Sequence, residues 1–481
     1  MIPTRAADVV VVGAGPAGLN AAIQAADGGA TVLLLDADVR PGGQYHRQMP
    51  VEFGAVHPER VHHEQAEVSD LIARLARHRR VTQRQLVSVW AAEPRLGGGA
   101  LLYLVDYSSG APENIGCVAA PRVILATGAY DRVLPFPGWD LPGVFTAGGV
   151  QALLKGPRIL AGGRVLVAGT GPFLLPVAAG LIEAGATLAG VLEANRSRGW
   201  LRAPRAMALA PEKVAEAARY TAALTRHRTR VRHGRAVVAV QGGDRVESAT
   251  VAKIRPDWTV VPGSERQVEV DAVAVGYGFT PQLDLALALG CDTEPGPDGA
   301  SVVSVDERQR TTREGVYAAG EITGVGGSVL AGAEGALAGL STALDLGTLG
   351  ERGHAVRAAA WAGVRDRYRR FATALANVYP IQEGWQSWLT DSTLVCRCEE
   401  VPYGRLRDAV QRYGATGLRT VKLTTRCGMG MCQGRVCGAN VADLTAALSG
   451  REPADPLALS TRPLVTPIPL AELAADPGSN T

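Results

Sequence analysis

The chain has 481 residues, 47% of them hydrophobic and 20% charged, enough for roughly three domains with separate cores. A net charge of +3 is negligible at this length and argues against a nucleic-acid partner. No uncharged apolar run approaches the roughly 20 residues that cross a bilayer, and the first residues lack the basic start of a leader. The expectation is a cytoplasmic chain with no transmembrane segment, which leaves open docking to a membrane partner.

The stretch from Asp8 to Asp36 reads as strand, turn, helix, strand. Val9–Val12 is a buried parallel strand, and Gly13-Ala14-Gly15-Pro16-Ala17-Gly18 turns the chain into a helix. Gly13 permits the tight turn, Gly15 lets backbone approach a pyrophosphate, and Gly18 lets the helix lie close on the strand. The pyrophosphate belongs at the positive helix N-terminus. Asp36 closes the second strand, Thr31–Leu35, 23 residues after Gly13, where it can accept from a ribose hydroxyl pair. Strand, helix and terminal acid in register predict a dinucleotide site.

Gly42-Gly43-Gln44 follows and either brings backbone close to a flavin ribityl or phosphate group or forms an ordinary Pro-Gly turn. His46, His57, His62 and His63 lack partners at metal-ligand spacing and read as surface histidines. Residues 67–78 read as helix, and alternation from Val81 to Asp106 as a small antiparallel meander. Arg122–Gly128 (RVILATG) is a further buried strand, ending at Thr127 and Gly128. At that point a flavoprotein with two dinucleotide folds crosses from its FAD domain to the second.

The second fold starts at Arg164–Ala168 and continues through Gly169-Thr170-Gly171 to a helix and a strand ending at Glu193, 24 residues after Gly169. Leu174 stands where a third glycine belongs, and a leucine there pushes the helix off the strand. Two readings stay open: a bound NAD, ATP or similar nucleotide, or a fold kept for packing alone. The FAD domain resumes with Asp271–Phe279 and ends with Gly315–Glu321, so that Gly320 and Glu321 face the flavin ribityl or phosphate end. A helix is expected from about Gly332. The basic clusters near Arg196 and over Arg365–Arg370 read as solvated faces. Residues 351–390 form a helical connector, and residues 451–481 carry six prolines without helical period and read as an extended strap.

Five of the seven cysteines lie within Cys396–Cys437. Such crowding in a cysteine-poor chain points to metal ligation before disulfides. Cys396 and Cys398 form one pair; 33 residues later come Cys432 and Cys437, with Cys427 in addition. Glycines in RCGMGMCQGRVCG allow a tight loop to present sulfurs around one point. A 2Fe–2S cluster held by Cys396, Cys398, Cys432 and Cys437 is the leading reading, structural zinc the alternative, and Cys427 competes for one ligand position. Disulfide-relay chemistry is not expected, because neither Cys117 nor Cys291 has a close cysteine partner in sequence. No residue has a context that marks it as a general base.

CRCEEV and TRCGMGMCQGRVC resemble the bacterioferritin-associated-ferredoxin-like domain found at the C-terminus of one flavoprotein family. GAGPAGL, VAGTGPFLLPVA, VGYGFTP and AAGEITG are similar to the same family. It comprises the FAD-containing subunit of hydrogen cyanide synthase, the A subunit of opine oxidase, and the alpha subunits of proline and D-hydroxyproline dehydrogenases. The resemblance implies an α/β flavoprotein with two Rossmann domains of the glutathione-reductase type and a small C-terminal 2Fe–2S domain. The expected boundaries are residues 1–125 with 271–350 for FAD, 126–270 for the second nucleotide fold, 351–390 for the connector, 391–450 for the cluster and 451–481 for the tail. It also implies a partner flavoprotein subunit similar to D-amino-acid oxidases. FMN at a subunit interface and a small ferredoxin-like subunit are further components to test for. The expected role is electron transfer within a complex that oxidises amino acids, imino acids or opines. A stand-alone NAD(P)H-dependent reductase is the competing reading, with a non-catalytic scaffold behind it.

Overall fold

A computed structural model describes residues 4–5, 7–53, 65–459 and 464–474. His57, His62 and His63 lie outside the described residues. Contacts divide the chain into two compact units: Met1–Ala129 with Pro281–Thr373 and Arg462–Thr481, and Tyr130–Thr280 with Ala374–Thr461.

In the first unit, the continuous valines of Val9–Val12 are buried on both faces, as a central parallel strand requires. The sheet order is Val316–Ala318, Arg122–Leu125, Val9–Val12, Val32–Leu35, Val81–Arg84, all parallel. Val12 pairs with both Leu35 and Leu125, and Leu125 with Ala318, so four strands end level. That register brings Gly13, Asp36, Ala126 and Ala319 to one carboxyl edge, where open α/β sheets bind ligands. A second sheet joins Val87–Pro94, Ala100–Asp106 and Glu113–Ala120 antiparallel, with Thr4–Arg5 parallel at its edge. Leu464 of the tail bridges to Ala91 of that sheet, and a short helix, Leu470–Ala474, follows.

The helix Pro16–Asp27 crosses the helix Ser328–Asp345, which begins four residues before the expected Gly332. Their backbones touch because both carry small residues. A Cβ on Gly335 would lie 1.9 Å from the Ala17 carbonyl oxygen, and one on Gly339 would lie 2.3 Å from that of Ala21. Gly339→Val is therefore expected to force the helices apart and destabilise the unit by ~3 kcal/mol or more. Urea unfolding checks this, and an unchanged midpoint would refute the close crossing.

The second unit has its own parallel sheet, ordered Val144–Thr146, Ala272–Gly276, Arg164–Gly169, Thr187–Glu193, Val231–His233. Arg235–Gln241, Ser248–Lys253 and Arg266–Glu269 form an antiparallel layer. The cysteine-rich segment adds the hairpin Leu394–Cys396 with Val401–Pro402 and helices Tyr403–Gln411, Leu418–Thr425 and Gly438–Ser449. Leu418, Val421 and Thr425 recur at helical spacing and are buried, so the short apolar run near Arg419–Leu423 belongs to a helix. This segment shares one core with the nucleotide-fold sheet, in which Leu166, Val273, Val395, Leu406 and Val441 all take part. Trp139 Nε1 donates to the Leu394 carbonyl at 2.7 Å, and Asn440 Nδ2 to that of Val133 at 2.9 Å. Trp388 stacks on Trp258 and donates its indole N–H to the Trp258 carbonyl.

Candidate cofactor sites

The three glycines of the first motif are glycines for different reasons. Gly13 has φ +101°, and a Cβ there would meet the Ala126 carbonyl oxygen at 2.3 Å. Gly18 would place a Cβ 1.7 Å from the Gly13 oxygen. Gly15 has extended backbone at φ −75°, and its Cβ would meet only the Gly43 Cα, at 3.9 Å. The fold itself does not require glycine at Gly15, so the open space above it is a cradle a side chain would fill. Pro16 opens the helix, and its first intrahelical bond runs from Leu19 N–H to Gly15 O. The Ala17 and Gly18 amides precede that bond, lack intrahelical acceptors and mark the positive helix end.

Other expected residues gather here. Asp36 is buried and accepts from the Ala14 amide at 2.7 Å and the Asp38 amide at 2.8 Å, so it braces the loop. Burial raises its pKa, opposed by those two bonds. Gly42 donates to the Ala14 carbonyl at 2.7 Å, and a Cβ on Gly43 would lie 2.8 Å from the Gly15 Cα. Gly42 and Gly43 thus form the wall opposite Gly15, with Gln44 exposed beside them. Thr127 Oγ1 donates to the Gln282 carbonyl, and Gln282 N–H returns to Gly128. Gly320, at φ +82°, packs against Ala17 and Ala331. Glu321 is buried and accepts from the Gly327 amide at 2.8 Å, so it holds the turn before Ser328–Asp345; burial pushes its pKa up to about 7. A dinucleotide with its pyrophosphate on the Gly15 cradle fits this donor set.

Sequence reasoning missed the support beneath. Buried Glu334 accepts from Gly320 N–H at 3.0 Å, Thr323 Oγ1 at 2.7 Å and Arg369 Nε at 2.8 Å. Its signal was a lone carboxylate in an Ala/Gly/Leu helix. The Arg365–Arg370 cluster is accordingly not a solvated face throughout. Arg369 neutralises Glu334, and the Arg365 side chain is 8% exposed and donates to the Glu307 carbonyl. A buried carboxylate needs a paired cation.

The second motif differs in its glycine. Gly171 has φ +100°, so backbone conformation alone accounts for it. The helix starts at Leu174, two residues later than Pro16 does in the first unit, and Leu174 is buried over Gly276. Glu193 is occupied: Thr170 Oγ1, the Gly171 amide and the Asn195 amide each donate to it at 2.8 Å. Burial nonetheless pushes its pKa up to about 7. Folded and unfolded chains protonate Glu193 alike below its ordinary 4.5, and the folded state loses relative stability as pH rises from there to about 7. The wild-type advantage over Glu193→Gln should therefore shrink by roughly 2–3 kcal/mol between about pH 5 and pH 8. Urea unfolding at both values checks this; a growing advantage would contradict it.

All five clustered cysteines converge. Cys398 and Cys432 sulfurs lie 3.3 Å apart. Cys432 also contacts Cys437, and Cys396 contacts both Cys437 and Cys427. Amides of Gly428 and Glu399 point at Cys396, that of Cys432 at Cys398, and those of Gly434 and Val436 at Cys432. The Cys427 and Cys437 thiols, then these amides, hold Cys396 far below the usual thiol range. Gln433 sits in left-handed backbone at φ +57° and braces the loop by donating to the Gly430 carbonyl. A Cβ on Gly430 would press on Cys398 at 2.6 Å, which is why glycine stands there. Paired sulfurs ringed by amides suit an anionic two-iron cluster. Cys396, Cys398, Cys432 and Cys437 together line a cavity of about 400 Å³, whose wall also includes Asp131, Trp139, Phe145, Arg397 and Val436.

Cys117 lies in the antiparallel sheet and Cys291 is buried with its thiol toward Thr311; neither is in a disulfide. No described helix is long and apolar enough to cross a membrane.

Comparison with known proteins agrees with this geometry. Residues 7–350 match the pyridine nucleotide-disulphide oxidoreductase family, and residues 394–447 a BFD-like [2Fe-2S] binding domain. The A subunit of opine oxidase from Agrobacterium tumefaciens (strain Ach5) is 32% identical, the alignment covering 97% of this chain and 91% of that one. Hydrogen cyanide synthase subunit HcnB of Pseudomonas protegens is 30% identical over 94% of this chain and 97% of its own length. In fold, the L-proline dehydrogenase from P. horikoshii superposes with a TM-score of 0.67 at 20% identity, covering 98% of this chain and 79% of that chain.

Proposed function

Because this chain belongs to the pyridine nucleotide-disulphide oxidoreductase family, and to the branch containing the A subunit of opine oxidase, we propose that it is the electron-transfer subunit of a heteromeric dehydrogenase. Its substrates would be amino acids, imino acids or opines, and a partner subunit similar to D-amino-acid oxidases would remove hydride from the C–N bond. The observation that carries this reading is one chain holding both a dinucleotide cradle at Gly15 and a paired-thiol site at Cys396–Cys437. Flavin converts two-electron into one-electron chemistry, which a 2Fe–2S centre passes on singly. Gly13, Gly15, Pro16, Ala17, Gly18 and Asp36 would hold the FAD, with Gly42, Gly43, Gln44, Thr127, Gly128, Gly320 and Glu321 around it. Cys396, Cys398, Cys432 and Cys437 would hold the cluster. An interfacial FMN and a small ferredoxin-like subunit belong to the same proposal.

The competing NAD(P)H reductase needs a working second nucleotide site. Gly171 is explained by its backbone and Leu174 delays the helix start, so we assign that fold to packing; Glu193 does not discriminate, because two amides hold it as two hold Asp36. Stopped-flow mixing of the purified chain with NADH, NADPH, amino acids and opines tests both, following the flavin band near ~450 nm. Slow or no bleaching by any of them is expected. Rapid bleaching by NADH would favour the reductase, and rapid bleaching by an amino acid would place the substrate site in this chain.

A further inference from the structure

The cysteine-rich domain differs in charge from the rest of the chain. Residues 394–447 hold eight Arg and Lys against four Asp and Glu, a net +4, whereas the whole chain carries +3. Glu399 is neutralised by Arg426, and Asp408 by Arg407 and Arg412. Among the described residues no carboxylate pairs with Arg397 or Arg405, and both are exposed.

Within this positive field the sulfur site reaches the surface. Cys398 is exposed, Met431 is 80% exposed and Val436 is 41% exposed. Arg397, Cys398 and Val436 are among the residues lining the cavity of about 400 Å³ that Cys396, Cys432 and Cys437 also line, the space the cluster would take. Exposed apolar side chains beside an arginine that no carboxylate neutralises are the parts of a protein interface. A redox-type sulfur at its centre restricts the partner's chemistry.

We propose that the face formed by Arg397, Cys398, Met431 and Val436, with the exposed Arg405 of the same domain adding to its positive field, docks an acidic protein that accepts electrons one at a time. In each encounter the carrier would gain one electron and the reduced 2Fe–2S centre held by the cysteines would lose it, with no proton moved and no bond formed or broken. Complementary charge steers it, apolar side chains of the carrier cover Met431 and Val436, and the contact stays small enough to release it. The inference rests on the electron-transfer reading above and names the kind of partner met at the sulfur site. An anionic membrane surface also attracts arginines, but two exposed apolar side chains beside a sulfur site suit a protein better than a lipid plane.

The test measures binding of oxidised carriers to the full-length holoprotein by calorimetry. The probes are an acidic ferredoxin, an acidic flavodoxin, a basic c-type cytochrome and phosphatidylglycerol vesicles. At least one acidic carrier should bind, with affinity falling about tenfold or more between about 20 and 200 mM salt. Arg405→Glu and Arg397→Glu should each weaken it about fivefold, and Met431→Asp should do so at high salt as well. Binding by neither acidic carrier, equal binding by the cytochrome, binding by vesicles alone, or indifference to both charge reversals would overturn the proposal. Visible absorbance of the cluster is recorded for every sample. Wild-type protein without it, or with a cluster that no reductant fills, would refute the electron-transfer reading, whereas an intact reducible cluster with no acidic-carrier binding would refute only the docking surface. Arg405 lies on the helix Tyr403–Gln411, outside the ligand loops, so its variant decides the matter if Arg397→Glu loses cluster.

Discussion

Gly15→Val yields folded protein without flavin absorbance. Extended backbone at φ −75° accepts any residue, and the nearest atom to the new Cβ is the Gly43 Cα at 3.9 Å. The branched side chain instead fills the space where a pyrophosphate meets the Ala17 and Gly18 amides at the helix start. An affinity loss of about 100-fold or more is expected, read as flavin content after purification beside an unchanged thermal midpoint of the flavin-free protein. Gly13→Ala and Gly18→Ala are the contrasting pair. Their Cβ atoms would fall 2.3 Å and 1.7 Å from carbonyl oxygens, so they should lose the fold rather than the ligand alone. Asp36→Ala should weaken FAD binding less, by roughly 1.5–3 kcal/mol per charge-assisted bond removed. It also removes the acceptor of the Ala14 amide. Full flavin occupancy in Gly15→Val would end the assignment of this motif to FAD.

The first motif was legible because each of its signals is local: a valine run, a turn, and an acid at fixed spacing. The same holds for the cysteine loop, where glycines and sulfurs lie within eleven residues from Cys427 to Cys437. The wall that Gly42 and Gly43 build against Gly15 was readable only as one of two turns, since spacing cannot show which backbones meet. What stayed hidden depends on distant partners. Glu334 and Arg369 are 35 residues apart on different helices, and an arginine-rich stretch looks solvated until its buried carboxylate is known. The cavity that the sulfurs line draws Asp131 and Trp139 together with Cys398, and no local pattern joins residues so far apart in the chain.

The second motif shows how far spacing carries. Its glycine-to-acid interval nearly equals that of the first, and its sheet has the same parallel form. Yet a glycine at φ +100° is needed for the turn whether or not a nucleotide is present. The distinction between a turn glycine and a cradle glycine lies here in backbone angle, since the space above Gly171 is open too, and that angle is not written in the motif.

Single serine variants should separate four cysteines from the fifth. Contact alone does not choose, because Cys427 touches Cys396 as Cys437 does. The helices choose. Cys437 is the N-cap of Gly438–Ser449, at the positive helix end that favours a thiolate. Cys427 follows Arg426, the C-cap of Leu418–Thr425, where the carbonyl end disfavours one. Burial does not separate them, since Cys396 is as fully buried as Cys427 and Cys437 nearly so, but the four other cysteines line one cavity that Cys427 does not. Cys396→Ser, Cys398→Ser, Cys432→Ser and Cys437→Ser should each abolish or shift the reduced-state EPR signal and lower bound iron. Cys427→Ser should keep both, at a cost in stability of about 1–3 kcal/mol from a buried hydroxyl. If Cys427→Ser loses the cluster while Cys437→Ser retains it, the ligand set is wrong by one position, and the helix-end argument fails with it.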